Sequence, residues 1–309
     1  MQHRTYVVDG RDATDDDTID EANRIAISAK VAAELKLVTG QQVTVTNQAP
    51  TPRRRADGPY LGAFRVAEIT DAHENTVVLE TEGRKLLSDE TTFPATVRNQ
   101  VPDNTLSVSE ARRLNEFTET LQIAGYDSEV LVIAVHGGDV EANTDESASW
   151  FHKECLAHGV AADVYTARGF GKRNFQRWHV GSSSLHLRSF PKLREVAGRQ
   201  YELVIAFHLH DVRGDGSPKI LVGGRTDATL REQTAARLDD ALPNKYAYIT
   251  DRSQHSMMGG SHTNVVNWLS RDGESGLQIE VTPRVSQIRR KTVGREVARS
   301  VVEHLEGER

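Results

Sequence analysis

Leu131–Val135 and Leu203–Phe207 are unbroken apolar runs, LVIAV and LVIAF, and each is followed directly by a histidine. Runs of this length without polar alternation predict strands buried on both faces, as in a parallel or mixed sheet covered by helices. Helical periods surround them. Ser107 and Glu110 form a capping-box pattern that opens a helix predicted to run to about Ile123. Thr144 or Asp145 caps a second helix whose Ala148, Phe151 and Cys155 share one face, with Gly159 as its stop. Further strands are expected at Val160–Thr166, Leu185–Ser189, Lys219–Val222 and Leu277–Thr282. Asp227–Leu242, capped by Thr226, and Thr292–Leu305 read as helices. Strands alternating with helices predict an α/β domain over residues 106–309, with a largely parallel or mixed sheet and helices on both faces.

Residues 1–105 are patterned differently. Short apolar segments at Thr5–Val8, Gln42–Val45, Gly62–Ile69 and Thr76–Leu79 are separated by Gly, Asn, Asp and Pro, which predicts a small, mostly β, barrel-like domain. One helix is expected at Val31–Leu37, ended by Gly40. The piece RIAISAKVAAELKLVTGQQVTV resembles the strand–helix–strand unit of swapped-hairpin or double-psi barrels. The domain boundary is placed at Val101–Thr105. Asp15–Asp17 and Arg53–Arg55 are like-charge runs and read as solvated loops.

Composition narrows the class. A chain of 309 residues is long enough for two domains, and its net charge of −6 gives no bulk attraction for nucleic acid or membranes. The single cysteine, Cys155, excludes an intrachain disulfide and reads as a core residue. No apolar stretch is long enough to span a bilayer and the first residues lack a signal peptide's hydrophobic region, so the expected location is cytoplasmic.

The candidate chemistry lies where the two buried runs stop. His136 is followed by Gly137-Gly138 and then Glu141, and the second run delivers His208. In open α/β sheets, ligands gather at the carboxyl ends of the strands. Two imidazoles and a carboxylate are a three-ligand set for a catalytic zinc and leave a fourth position for water. His210 points to the same face as His208 if the strand continues, and is an alternative ligand.

The segment VLVIAVHGGDVEANTDESA resembles the signature of the phage and bacterial poly-γ-glutamate hydrolases, zinc hydrolases with a carboxypeptidase-like fold. The resemblance continues in order through VIAFH, the VGG of Val222–Gly224, GGSHTNVVN at Gly259–Asn267 and GLQIE at Gly276–Glu280, covering about residues 105–305. It implies His136, Glu141 and His208 as ligands of one zinc per chain, and Glu280 as general base. The chain departs from the family after the third histidine, where glycine is usual and Leu209 and His210 stand here.

Cleaving an acidic polymer calls for cations in the cleft, and Arg225, after the Gly224 turn, and Arg284 are candidates to hold a substrate carboxylate. His262 and Asn264, in a Gly-rich loop, and Gly224 complete the expected substrate-binding set. The expected activity is therefore zinc-dependent hydrolysis of γ-glutamyl amide bonds in an acidic polymer or peptide-like substrate, with no nucleic-acid or membrane partner. The alternatives are a zinc deacylase or carboxypeptidase on another acidic substrate, or a non-catalytic polymer- or RNA-binding protein working through the N-terminal β domain. Against the last, the N-terminal region shows no basic stripe interleaved with aromatics.

Overall fold

The structure is a computed structural model that describes residues 1–9, 23–51, 60–71, 75–210, 220–242, 248–249 and 258–307. The charge runs Asp15–Asp17 and Arg53–Arg55 lie outside the described residues, as does Lys219, the first residue of the strand expected at Lys219–Val222. The chain forms two compact units, residues 1–118 with 169–191, and residues 119–168 with 192–309.

In the first unit, strands β1 (Gln2–Asp9) and β2 (Arg24–Ser28) lead into helix α1 (Ala29–Leu35), followed by β3 (Gln42–Asn47), β4 (Leu61–Thr70), β5 (Thr76–Leu79), helix α2 (Thr81–Leu87) and β6 (Thr92–Arg98). The six strands close into a barrel in the order β1-β5-β2-β4-β3-β6. Closure leaves no edge strand, and alternate residues such as Phe93, Ala95 and Val97 point into a core shared with Val7, Ile25, Ile27, Val45 and Phe64. Ser28 caps α1 by accepting from the Val31 amide, and Lys36 ends it in the left-handed conformation at φ 57°, earlier than the glycine expected to do so.

The capping box of Ser107 and Glu110 is formed and opens α3 (Val108–Leu114). The helix does not continue to Ile123. Asn115 takes φ 57° and ends it, and Phe117–Gln122 is instead strand β7, rich in aromatic and β-branched residues that favour a pleated backbone.

The second unit is built on a seven-stranded sheet. After β7 come β8 (Val130–Gly138), helix α4 (Thr144–Ala157) and β9 (Ala162–Gly169). An excursion then returns to the first unit and carries α5 (Asn174–Trp178). There the buried Arg177 donates to the backbone carbonyls of Leu61, Asn115 and Phe170. The expected strand at Leu185–Ser189 instead holds a turn at 187–189, because its amides bond locally and to the Gln42 side chain rather than into a strand ladder. The remaining elements are α6 (Pro191–Ala197), β10 (Leu203–Leu209), β11 (Ile220–Gly224), α7 (Ala228–Ala241), β12 (Tyr248–Ile249), α8 (Val265–Trp268), β13 (Gly276–Val281) and α9 (Pro283–Gly307).

The sheet order is β12-β11-β13-β10-β8-β9-β7. β10 runs parallel to both β8 and β13, and β11 runs antiparallel to β13, so the sheet is mixed. Val130, Val132 and Ala134 pack with Ala148, Phe151 and Cys155 of α4 and with Val293, Val297 and Val301 of α9. Leu131, Ile133 and Val135, pointing the other way, are equally buried, so both faces of the strand are covered. Cys155 is a buried core thiol, and burial together with the nearby Glu154 raises it to about 12. The helix caps differ by one residue from expectation. Asn143 precedes α4 in the left-handed conformation, and Asp227, not Thr226, caps α7 through the Leu230 amide.

Gly224 ends β11 at φ +97°, and a Cβ there would lie 2.0 Å from the Gly276 carbonyl oxygen on the neighbouring strand. Both the backbone conformation and the close approach require glycine. Gly224→Ala is expected to destabilise the second unit by about 3 kcal/mol or more, read as a lower midpoint of urea denaturation. An unchanged midpoint would contradict this packing.

Candidate metal centre

The β8 run leaves the sheet at a turn that returns on itself. A Cβ on Gly137 would stand 2.8 Å from the Asp145 Cβ, and Gly138 has φ +75°, so both glycines serve the turn. The Glu141 amide donates to the His136 carbonyl at 2.7 Å and closes it. Asp145, which packs against Gly137, is held in turn by Arg168 at 2.6 Å. The turn folds the Glu141 side chain back onto His136, with Oε1 2.8 Å from His136 Nδ1.

The neighbouring strand supplies the third group. β10 pairs with β8 in parallel register, so both strands end on the same side of the sheet. His208 Nδ1 lies 3.2 Å from Glu141 Oε2, and the Leu209 amide donates to that same oxygen at 3.0 Å. One ligand atom from each of His136, Glu141 and His208 falls within 4.8 Å of the other two, and all three residues are buried.

Three donors in this arrangement fit a divalent cation. Two imidazole nitrogens and a carboxylate oxygen bonded to zinc at about 2.0–2.2 Å in a tetrahedron stand roughly 3.3–3.6 Å apart. The contacts of 2.8 and 3.2 Å therefore need only small side-chain adjustments. Burial works to raise the Glu141 carboxyl, but the imidazoles of His136 and His208 outweigh it through charge and hydrogen bonds and hold the group well below the usual carboxylate range. Glu141 is thus ionised, the form that binds metal.

Glu280 stands beside this cluster because β13 pairs with β10 in the register His208↔Glu280. It is buried, and Gln278 Nε2 donates to its Oε1 at 2.7 Å. Burial raises this carboxyl to about 8, the charge on Glu141 adds to the rise, and His208 and the Gln278 bond oppose it. His210 is also buried, but its backbone amide bonds the Val281 carbonyl at 3.1 Å and its ring is not part of the converging triple.

The other expected residues are placed differently from one another. Arg225 is committed to Glu274, with bonds of 2.5 and 2.8 Å, and to the Gly260 carbonyl at 3.0 Å. His262 is 69% exposed and lies 3.6 Å from Glu274. Arg284 is exposed in the first turn of α9 and, among the described residues, makes no side-chain hydrogen bond or ion pair. Asn264 is buried and caps α8, accepting from the Val266 amide while donating to Gln278. Gly224 is accounted for by its packing on Gly276. Sequence reading missed Gln278, although in GLQIE it stands two residues before Glu280 and so shares its face of the strand.

The family model described as poly-gamma-glutamate hydrolase matches residues 107–299. The chain belongs to the poly-gamma-glutamate hydrolase family. The match takes in the whole His136/Glu141/His208 cluster and Glu280. No curated protein matches the chain in sequence. Among solved structures, a bacteriophage poly-gamma-glutamate hydrolase is similar at 17% identity and a TM-score of 0.46, covering 62% of this chain and 90% of its own. A metallo-carboxypeptidase from Pseudomonas aeruginosa is similar at 12% identity and a TM-score of 0.38, covering 88% and 82%. The rationally designed mkDPBB_sym2 protein is similar at 15% identity and a TM-score of 0.24, covering 31% of this chain and 99% of its own. Membership of the hydrolase family rests on the matched residues and not on these distant likenesses. Among the described residues no helix is long and apolar enough to cross a membrane.

Proposed function

We propose that this member of the poly-gamma-glutamate hydrolase family is a zinc-dependent amidohydrolase that cleaves γ-glutamyl bonds in an acidic polymer. The observation that carries the reading is the convergence of His136, Glu141 and His208, with Glu280 held next to them by strand register. His136, Glu141 and His208 are the residues that would hold one zinc per chain. When bound, zinc supplies Lewis acidity toward a carbonyl oxygen and makes water easier to deprotonate.

Glu280 supplies the proton transfers. Its Oε1 accepts from Gln278, leaving Oε2 to take a proton from the attacking water and return it to the leaving amine nitrogen. Glu280 acts in its charged, basic form, which a dication held by His136, Glu141 and His208 would favour against the burial that raises its carboxyl. Of the two candidate arginines, Arg284 has its guanidinium uncommitted and is the cation proposed to meet substrate carboxylates. The Arg225–Glu274 pair, with His262 beside it, is proposed to shape the rim.

The test is turnover of defined oligomers. Hydrolysis of γ-linked glutamate oligomers, with little turnover of the α-linked series, is expected. Turnover of the α-linked series alone would move the assignment to a carboxypeptidase, and no turnover of either by the zinc-loaded protein would contradict it. The convergence of three metal-binding groups beside a buried carboxyl supports catalysis over the polymer- or RNA-binding alternative.

A further inference from the structure

Gln278 and Glu280 project from one face of β13, while Leu277, Ile279 and Val281 join the apolar cluster on the other. A chain of hydrogen bonds runs along that polar face. The Val266 amide donates to Asn264 Oδ1 at 3.1 Å, Asn264 Nδ2 donates to Gln278 Oε1 at 3.1 Å, and Gln278 Nε2 donates to Glu280 Oε1 at 2.7 Å.

The first bond sets the direction of the other two. A backbone N–H can only donate, so the Asn264 carbonyl must face Val266 and its amino group must face Gln278. That amino group requires the Gln278 carbonyl opposite it, which leaves the Gln278 amino group aimed at Glu280. Packing confines the amide. A Cβ on Gly259 would lie 2.4 Å from Gln278 Oε1, so that loop rests against the amide, and Asn267 Nδ2 holds the loop through the Gly259 and Ser261 carbonyls at 2.7 Å each. Gln278 and Asn264 are only 4% and 8% exposed.

We propose that Asn264 and Gln278 form a one-way amide relay that orients the Glu280 carboxylate for proton transfer. The inference rests on the proposed role of Glu280 as base. Gln278 is a positioning residue, and Asn264 acts through it without touching Glu280. A donor held on Oε1 fixes the carboxyl plane and makes that oxygen the less basic of the two, so the proton taken from water goes preferentially to Oε2. The relay thus selects which oxygen does the chemistry.

Asn264→Asp separates this role from others. The carboxylate still accepts from the Val266 amide, so the start of α8 keeps its cap. It has no donor for Gln278 Oε1, and the Gln278 amide is then favoured to turn over and set its carbonyl against Glu280. With a γ-linked glutamate oligomer and zinc-loaded protein, kcat is expected to fall about 10–100-fold, the scale of supporting-residue changes in metal sites, with KM nearly unchanged. In a Glu280→Gln background the same substitution is expected to cost nothing further, because the group being oriented is gone.

A second readout needs no turnover. In zinc-free protein carrying ¹⁵N-glutamine, the Gln278 side-chain NH₂ resonances are expected to move in Asn264→Asp. If Asn264→Asp fails to fold, Gln278→Leu is judged by the same kcat and double-substitution criteria. Unchanged kcat in a folded, zinc-loaded variant would overturn the relay. So would a loss confined to KM, or one that persists in full in the Glu280→Gln background. Glu280→Gln as fast as wild type would instead sink the proposed base itself, which keeps the two failures distinguishable.

Discussion

Glu280→Gln is expected to lower kcat on γ-linked glutamate oligomers by about 10²–10⁴-fold, the usual contribution of a positioned general base, while zinc remains stoichiometric. Glutamine has nearly the same shape, and its side-chain oxygen can still accept from Gln278, so the metal-binding groups on the adjacent strands stay where they are. The substitution removes only the basicity.

A second consequence is visible in the metal-free protein. Burial raises the Glu280 carboxyl to about 8 from the ordinary carboxylate value. A group whose folded pKa is raised contributes its stability in full below the unfolded pKa and loses it as pH rises through the folded one. Metal-free wild type is therefore expected to lose stability between about pH 4.5 and 8 from this group, and metal-free Glu280→Gln is expected to lack that component of the decline. Above pH 8 the variant should melt several degrees or more higher than wild type, because the rise from 4.5 to about 8 corresponds to on the order of 5 kcal/mol. Wild-type turnover by Glu280→Gln would mean that another group serves as base.

His136→Ala and His208→Ala are expected to lose zinc and turnover together. Each removes one of the three proposed ligands, so the loss should exceed the roughly 10–100-fold typical of residues that merely support a metal ligand. Both substitutions also leave the buried Glu141 carboxylate with one partner fewer. Glu141 retains the Leu209 amide at 3.0 Å, which should let the chain fold. Far-UV circular dichroism checks the fold, and metal analysis after dialysis checks the site. A variant that kept zinc with wild-type affinity would remove that histidine from the ligand set. His210→Ala, made in parallel, is expected to retain zinc, because its ring lies outside the converging triple.

The parts of this molecule that were legible in the sequence are those whose physics is local. LVIAV and LVIAF have no polar alternation, and both became fully covered strands. Ser107 and Glu110 sit at the spacing a capping box needs, and the box formed. The short apolar segments of the first unit are punctuated by Gly, Asn, Asp and Pro, and they closed into a barrel core. Errors arose where a local signal had a rival. Apolar spacing after Leu114 allowed a longer helix, but Asn115 tolerates the left-handed conformation that ends one, and Phe117, Thr118 and Thr120 favour a strand. Leu185–Ser189 has the composition of a strand, yet its amides found partners in turns and in Gln42, 144 residues from His186 in sequence.

The same distinction runs through the site. His136-Gly-Gly-x-x-Glu141 is contiguous, so its turn could be anticipated, and His208 stands at the matching end of the second run. The commitment of Arg225 to Glu274 spans 49 residues and follows from no local pattern. Gln278 looked like an ordinary strand residue until the register placed Glu280 beside His208 and the Asn264 loop closed over its amide.

The most direct test of the account is a zinc titration of metal-free protein, with the initial rate of γ-linked glutamate hydrolysis read at each step. The rate should rise from near zero in proportion to added zinc and level off at one equivalent per chain. Full activity in the metal-free protein, or none at any level of zinc, would contradict the claim that His136, Glu141 and His208 assemble a hydrolytic metal centre.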